Sequence, residues 1–175
     1  MINIGESKKT ISDLEYFMII KDIRNHEEFI KTKDILHHGL TRYDHNMRVS
    51  YYSYKLTKML GLDYVASARA GLLHDFFMEE GSSLKKVDKT RLMINHPKRA
   101  LENASKYFKL CDKECDIILT HMFPVSPAIP KYMESWIVDI VDDVVAICEK
   151  GYSLRIELSH AATFLLLIFI NFMKV

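Results

Sequence analysis

From Ile11 onward the apolar positions fall three or four apart: Leu14, Phe17 and Met18, then Phe29, Ile30 and Ile35. That is the period of a helix with one buried stripe, not the alternation of a half-buried strand, and it predicts two short opening helices. Asn25 ahead of Glu27 and Glu28 has the make-up of an N-cap with an acidic first turn, and His37, His38 and Gly39 that of a helix C-terminus. Asp44 to about Leu60 reads as a further helix closed by Gly61. Asp63 caps the next, which runs through Ala66, Ala68, Ala70, Leu72 and Leu73 to His74 and Asp75.

Glu79 to about Arg91 carries Gly81, Ser82, Ser83, Lys85, Lys86 and Lys89, and predicts a polar loop able to cover a site. Pro97 suits the first turn of a helix running to about Phe108, and Asp112 to Met122 predicts another, stopped by Pro124, Pro127 and Pro130. Tyr132 to Lys150 reads as a long helix ended by Gly151.

The last stretch, Ser153 to Val175, is amphipathic at first and almost wholly apolar from Ala161 to Met173. Those thirteen positions, at about 1.5 Å each, rise roughly 20 Å, short of the ~30 Å hydrocarbon core of a bilayer. No transmembrane span is expected. The expected role is a helix buried in the core or at a homodimer interface, with peripheral membrane contact as the alternative. The chain as a whole, residues 1–175, reads as a single domain, with N-terminal helices in 1–40 and the apolar helix of 153–175 packed on it.

Composition supports helices. Six Gly and four Pro in 175 residues are about half of average usage, which disfavours turn-dense all-β, collagen-like and disordered chains. A formal charge of +1 offers no global field for nucleic acid, and no nucleic-acid partner is expected. Cys111, Cys115 and Cys148 are odd in number and form no CxxC pair, so neither a disulfide scaffold nor a cysteine-built zinc site is indicated, and a reducing cytoplasm is the simplest setting. Met1 to Thr10 is polar and lacks the features of a secretory signal. Gly-rich phosphate loops, HExxH, GxSxG and GxGxxG are all missing.

What remains is a set of six residues on separate segments: His45, the adjacent His74 and Asp75, His96, His121 and Asp142. Imidazole and carboxylate groups spread over several helices are what a metal site inside a helical bundle requires. His74 and Asp75, about 100° apart on a helix, serve a common ion only at a helix end. Imidazole suits Fe, Mn, Zn, Co or Ni, and a carboxylate can bridge two cations. His26, His37, His38 and His160 are expected to be ordinary surface or core histidines.

In RYDHNMRVS, AGLLHDFF and WIVDIVDDVVA, with NHPKRA and LTHMFP between the last two, the order of His and Asp resembles the HD superfamily of metal-dependent phosphohydrolases over residues 40 to 150 or so. The resemblance implies an all-α HD-domain helical bundle. It implies that His45, His74, Asp75 and Asp142 bind one divalent ion, that His96 and His121 bind a second, and that Asp75 bridges them and orients an attacking metal-bound hydroxide. The implied reaction is cleavage of a phosphoester or phosphoanhydride, with a nucleotide or dinucleoside polyphosphate as substrate.

The chain departs from many members in following the HD pair with Phe76, Phe77, Met78 and Glu79 rather than Gly and Lys. Met122 stands where the cyclic-dinucleotide phosphodiesterase branch doubles its His, and a GYP signature is missing. Asp139 is the runner-up to Asp142, and Glu79 or Asp143 is expected to fix a ligand imidazole or protonate the leaving group. Arg48, one turn past His45, and Lys98 and Arg99, beside His96, are candidate phosphate-binding residues. Two alternatives are a catalytically silent nucleotide- or metal-binding regulatory module and a diiron oxygenase.

Overall fold

A computed structural model of the chain describes residues 14–37, 40–77 and 86–151; side chains are described outside 36–40 and 86–93. The fold is an all-α bundle. Three short helices open it: α1 at residues 14–19, α2 at Lys21–Arg24 and α3 at Glu27–Ile30. A single 3-10 turn, Lys31–Asp34, leads into strands β1 (Leu36–His37) and β2 (Leu40–Thr41), which pair antiparallel. The long helices follow: α4 at Arg42–Met59, α5 at Tyr64–Leu73, α6 at Lys86–Tyr107, α7 at Asp112–Thr120 and α8 at residues 133–151.

Local chemistry sets the joints. Thr41 caps α4 by accepting from the Asp44 N–H, and its hydroxyl donates to Asp44 Oδ2. Gly61 ends the same helix at φ +70°, a left-handed conformation that costs glycine little. Asp63 accepts from the Ala66 N–H and so caps α5, as its position in the sequence predicts. On α7 the Glu114 carboxylate reaches back to the Cys111 N–H at 2.8 Å and also takes the Arg69 guanidinium at 2.8 Å. Arg69 also donates to Asp22 at 2.8 Å, and thereby clamps α2, α5 and α7 together.

The core runs between these helices. Tyr16, Ile20, Ile23 and Phe29 of the opening helices pack with Val49, Leu72, Leu73, Phe76, Ile117 and Val138. Helices α4 and α5 meet at Gly71, where an added Cβ would stand 3.1 Å from Ser50 Cα. The Ser50 hydroxyl donates to the Ala68 carbonyl at 2.6 Å and accepts from the Tyr16 hydroxyl at 2.9 Å, which pins that crossing. Asp116 holds the start of α8 against α7 by accepting from the Lys131 N–H and the Ser135 hydroxyl.

Three sequence expectations change. The N-cap of α3 is His26, not Asn25: its imidazole accepts from the Glu28 N–H, and its ring packs on Tyr107 and Phe108. His37 does not end a helix but lies in β1. Pro97 is internal to α6, because the helix starts at Lys86, inside the expected loop. Lys and Arg have good helix propensity, so the charges that suggested a loop are compatible with a helix. Glu79, the rest of the 78–85 stretch and the C-terminal segment 152–175 lie outside the described residues. Among the described residues, no helix is long and apolar enough to cross a membrane.

Candidate metal centre

Two histidines owe their orientation to the ends of helices. His74 is the C-cap of α5 and His121 the C-cap of α7. A helix end leaves its last carbonyls without intrahelical donors. In both places the imidazole Nδ1–H donates to the carbonyl three residues earlier, Gly71 for His74 and Ile118 for His121, each at 2.8 Å. That bond fixes the tautomer and turns Nε2 into the bundle.

His45, on the inner face of α4, reaches the same orientation by another route: Glu149 of α8 takes its Nδ1 at 2.9 Å. Its Nε2 then meets Asp142 Oδ1, also at 2.9 Å. His74 Nε2 lies 3.5 Å from that same oxygen. His96, on α6 just before the buried Pro97, brings its Nε2 within 2.9 Å of His121 Nε2 and 3.2 Å of Asp75 Oδ1. The distance from His121 Nε2 to Asp75 Oδ1 is 3.6 Å. Four Nε2 atoms and two carboxylates from five segments therefore converge at the centre of the bundle.

Potential ligand atoms form three overlapping triads, each within 4.8 Å: His45, His74 and Asp75; His74, His121 and Asp142; and Asp75, His96 and His121. All six residues are buried. His74 Nε2 and Asp75 Oδ1 are buried without a hydrogen-bond partner among the described residues, although charged groups stand close by. Unsatisfied inward-facing donor atoms are costly in a protein core, whereas a coordinated cation would satisfy them. The residues thus fit divalent transition metals, to which imidazole nitrogen and carboxylate oxygen are suited.

The electrostatics agree. Burial raises the Asp75 carboxyl, but the His121 and His96 imidazoles outweigh it and hold the group well below the usual carboxylate range. Asp142 is likewise lowered against burial by His74 and His45. For His45, burial favours the neutral ring, yet hydrogen bonds to Asp142 and Glu149 raise the imidazole to about 10. His74 also rises, because Asp142 overcomes its burial, while burial lowers His121. Asp139 behaves differently: burial and the charges of Asp143 and Asp142 push it up to about 7.

Of the two closing acids weighed in the sequence, Asp142 is the one that faces the histidines.

The family model described as HD domain matches residues 42–147, more than half of the chain and a span that includes all six residues. The chain belongs to the HD domain family. Proteins of this family are typically metal-dependent phosphohydrolases. No curated protein and no solved structure matches the chain.

Two residues of this site carry no local signal in the sequence. Glu149, rather than Asp143, fixes a ligand-type imidazole. Its signal is its spacing, seven residues past Asp142 and so on the same face of α8. Arg42, one turn before His45, is 1% exposed. It donates to the Phe77 carbonyl at 2.7 Å, lies over the Phe77 ring and stands 3.9 Å from Asp75 Oδ2.

The three candidate phosphate-binding residues lie nearer the rim. Arg48 donates to Glu149 at 3.1 Å, Lys98 is exposed 4.0 Å from Glu102, and Arg99 is half-buried on α6.

Proposed function

We propose that this HD-domain chain is a phosphohydrolase that cleaves a phosphoester or phosphoanhydride of a nucleotide or dinucleoside polyphosphate. The observation that carries the reading is the inward convergence of four imidazole Nε2 atoms on Asp75 and Asp142, three of those rings being held from behind through Nδ1. His45, His74, Asp75 and Asp142 would hold one divalent ion and His96, His121 and Asp75 a second, with Fe, Mn, Zn, Co or Ni compatible with the donor set. Such ions, when bound, acidify water and neutralise charge on phosphoryl oxygens.

The chain's own residues supply the rest. Asp75 turns Oδ1 toward His96 and His121 and offers a ligand atom within 4.8 Å of those of His45 and His74, so one carboxylate stands between both halves of the cluster, with the buried Arg42 guanidinium beside its Oδ2. Glu149, Gly71 O and Ile118 O keep three rings in the tautomer that presents a lone pair inward. Lys98 and Arg99, following His96 on α6, supply positive charge for an incoming phosphate, and Arg48 steadies Glu149. Burial of every candidate ligand strengthens these interactions relative to water.

The test is phosphate release from a panel of nucleotides, dinucleoside polyphosphates and simple phosphoesters, with the protein loaded with Mn or Fe. Asp75→Ala is expected to lower turnover by ~10³-fold or more, in the range lost when electrostatic stabilisation of a transition state is removed. Wild-type protein that binds metal yet releases no phosphate from the whole panel, or an Asp75→Ala variant with intact turnover, would contradict the reading.

A further inference from the structure

Helices α4 and α8 leave a groove of about 1130 Å³ between them, further along the face of α4 that carries His45. Tyr52, Leu56 and Met59 of α4 line one wall, and Ile140, Val144 and Val145 of α8 the other. Several of these are well exposed, Met59 at 76%, Ile140 at 57% and both Tyr52 and Val144 at 54%. Apolar side chains this contiguous and this open are a surface that a soluble domain normally covers.

The sequence carries a segment of matching chemistry a short way beyond the residues at one end of this groove. Cys148 and Glu149 line that end, and α8 is described as far as residue 151. The next nine residues, 152–160, are mixed in polarity and are followed by the apolar run Ala161–Met173. Nine residues reach up to ~30 Å when extended, ample for the chain to reverse. The run, if helical, rises roughly 20 Å, and the wall of α4 from Arg48 to Met59 rises about 16 Å. An almost wholly apolar run needs more than one wall, and a cleft between two helices offers two.

We infer that the apolar run Ala161–Met173 of this same chain docks in the α4–α8 groove, with its start near Cys148 and its end near Met59. The seat backs directly onto the metal centre, because Arg48 and Glu149, which line it, also form the hydrogen-bond chain to His45. The inference does not depend on the hydrolase reading.

The test is proximity cross-linking in the full chain. Cys111, Cys115 and Cys148 are replaced by Ser, Met59→Cys and Asn171→Cys are introduced, and a short bismaleimide is added to dilute protein. The expected result is a link within one chain, found by mass spectrometry, at a yield at least tenfold above a control pairing Asn171→Cys with Met18→Cys on α1. Adding Val144→Asp, at an exposed position that leaves the fold intact by circular dichroism, is expected to abolish it. Linkage only between chains would assign the groove to a second copy. Equal yields with the control would leave the segment without a seat. No linkage, together with flotation on phosphatidylglycerol vesicles, would assign the run to a lipid surface. Each of these three results overturns the inference.

Discussion

Glu149 shows how one side chain controls a site it does not enter. Its carboxylate takes His45 Nδ1 at 2.9 Å and is itself held by Arg48, so the imidazole cannot rotate without breaking a buried charge-assisted pair. Partners of this kind typically contribute 10- to 100-fold in metal affinity. Glu149→Gln is therefore expected to weaken Mn binding by about that factor while the fold persists, as measured by competition with a chelating dye. Unchanged affinity would remove Glu149 from the site.

The same ring predicts a pH effect. Without metal, both nitrogens of His45 face carboxylates, which raises the group to about 10, above the ordinary value of 6.5. A group raised in the folded state stabilises the metal-free fold fully below pH 6.5 and ceases to as pH rises through about 10. Metal must displace that proton, so affinity is expected to increase with pH across the same window, with about one proton released from His45 at pH 7.5. Calorimetry in two buffers of different ionisation enthalpy measures the release, and equal heats would contradict it.

At the level of elements, the crossing of α4 and α5 decides how the HD pair is presented. Gly71→Ala would set a Cβ 3.1 Å from Ser50 Cα. The ~1 kcal/mol that Ala gains in helix propensity opposes the strain. Because Tyr16 and Ala68 both hold Ser50, the backbone cannot retreat cheaply, and a net loss of about 1 kcal/mol is expected. A lower urea midpoint at unchanged m-value would show it; a raised midpoint would mean the crossing is slack.

These helices were largely legible in the sequence, since Asp63, Gly61 and the apolar period mark their ends. The six converging residues were legible through their order and type, and His74 with Asp75 through their place after an apolar run. The start of α6 and the β1–β2 ribbon were not, because clustered charge suits a loop as well as a helix, and His and Gly suit a helix end as well as a tight strand connection. Glu149 and Arg42 escaped notice because nothing local distinguishes a carboxylate or guanidinium that turns inward from one that faces water; the partner that turns each inward lies far away in sequence.

Over the whole molecule, the HD domain of residues 42–147 supplies the six converging residues, and the opening helices close its core through Tyr16, Ile20, Ile23 and Phe29. Glu149 lies two residues beyond the matched span and lines the α4–α8 groove, so that groove and the centre share the Glu149–His45 hydrogen bond. The account stands on these distant side chains sharing divalent cations. Elemental analysis of anaerobically purified protein, reported as ions per chain, tests this most directly: the expected value is near two for the wild type, with a fall below one in Asp75→Ala. A wild-type protein that carries no stoichiometric transition metal after reconstitution, or a variant that retains both ions, would contradict it.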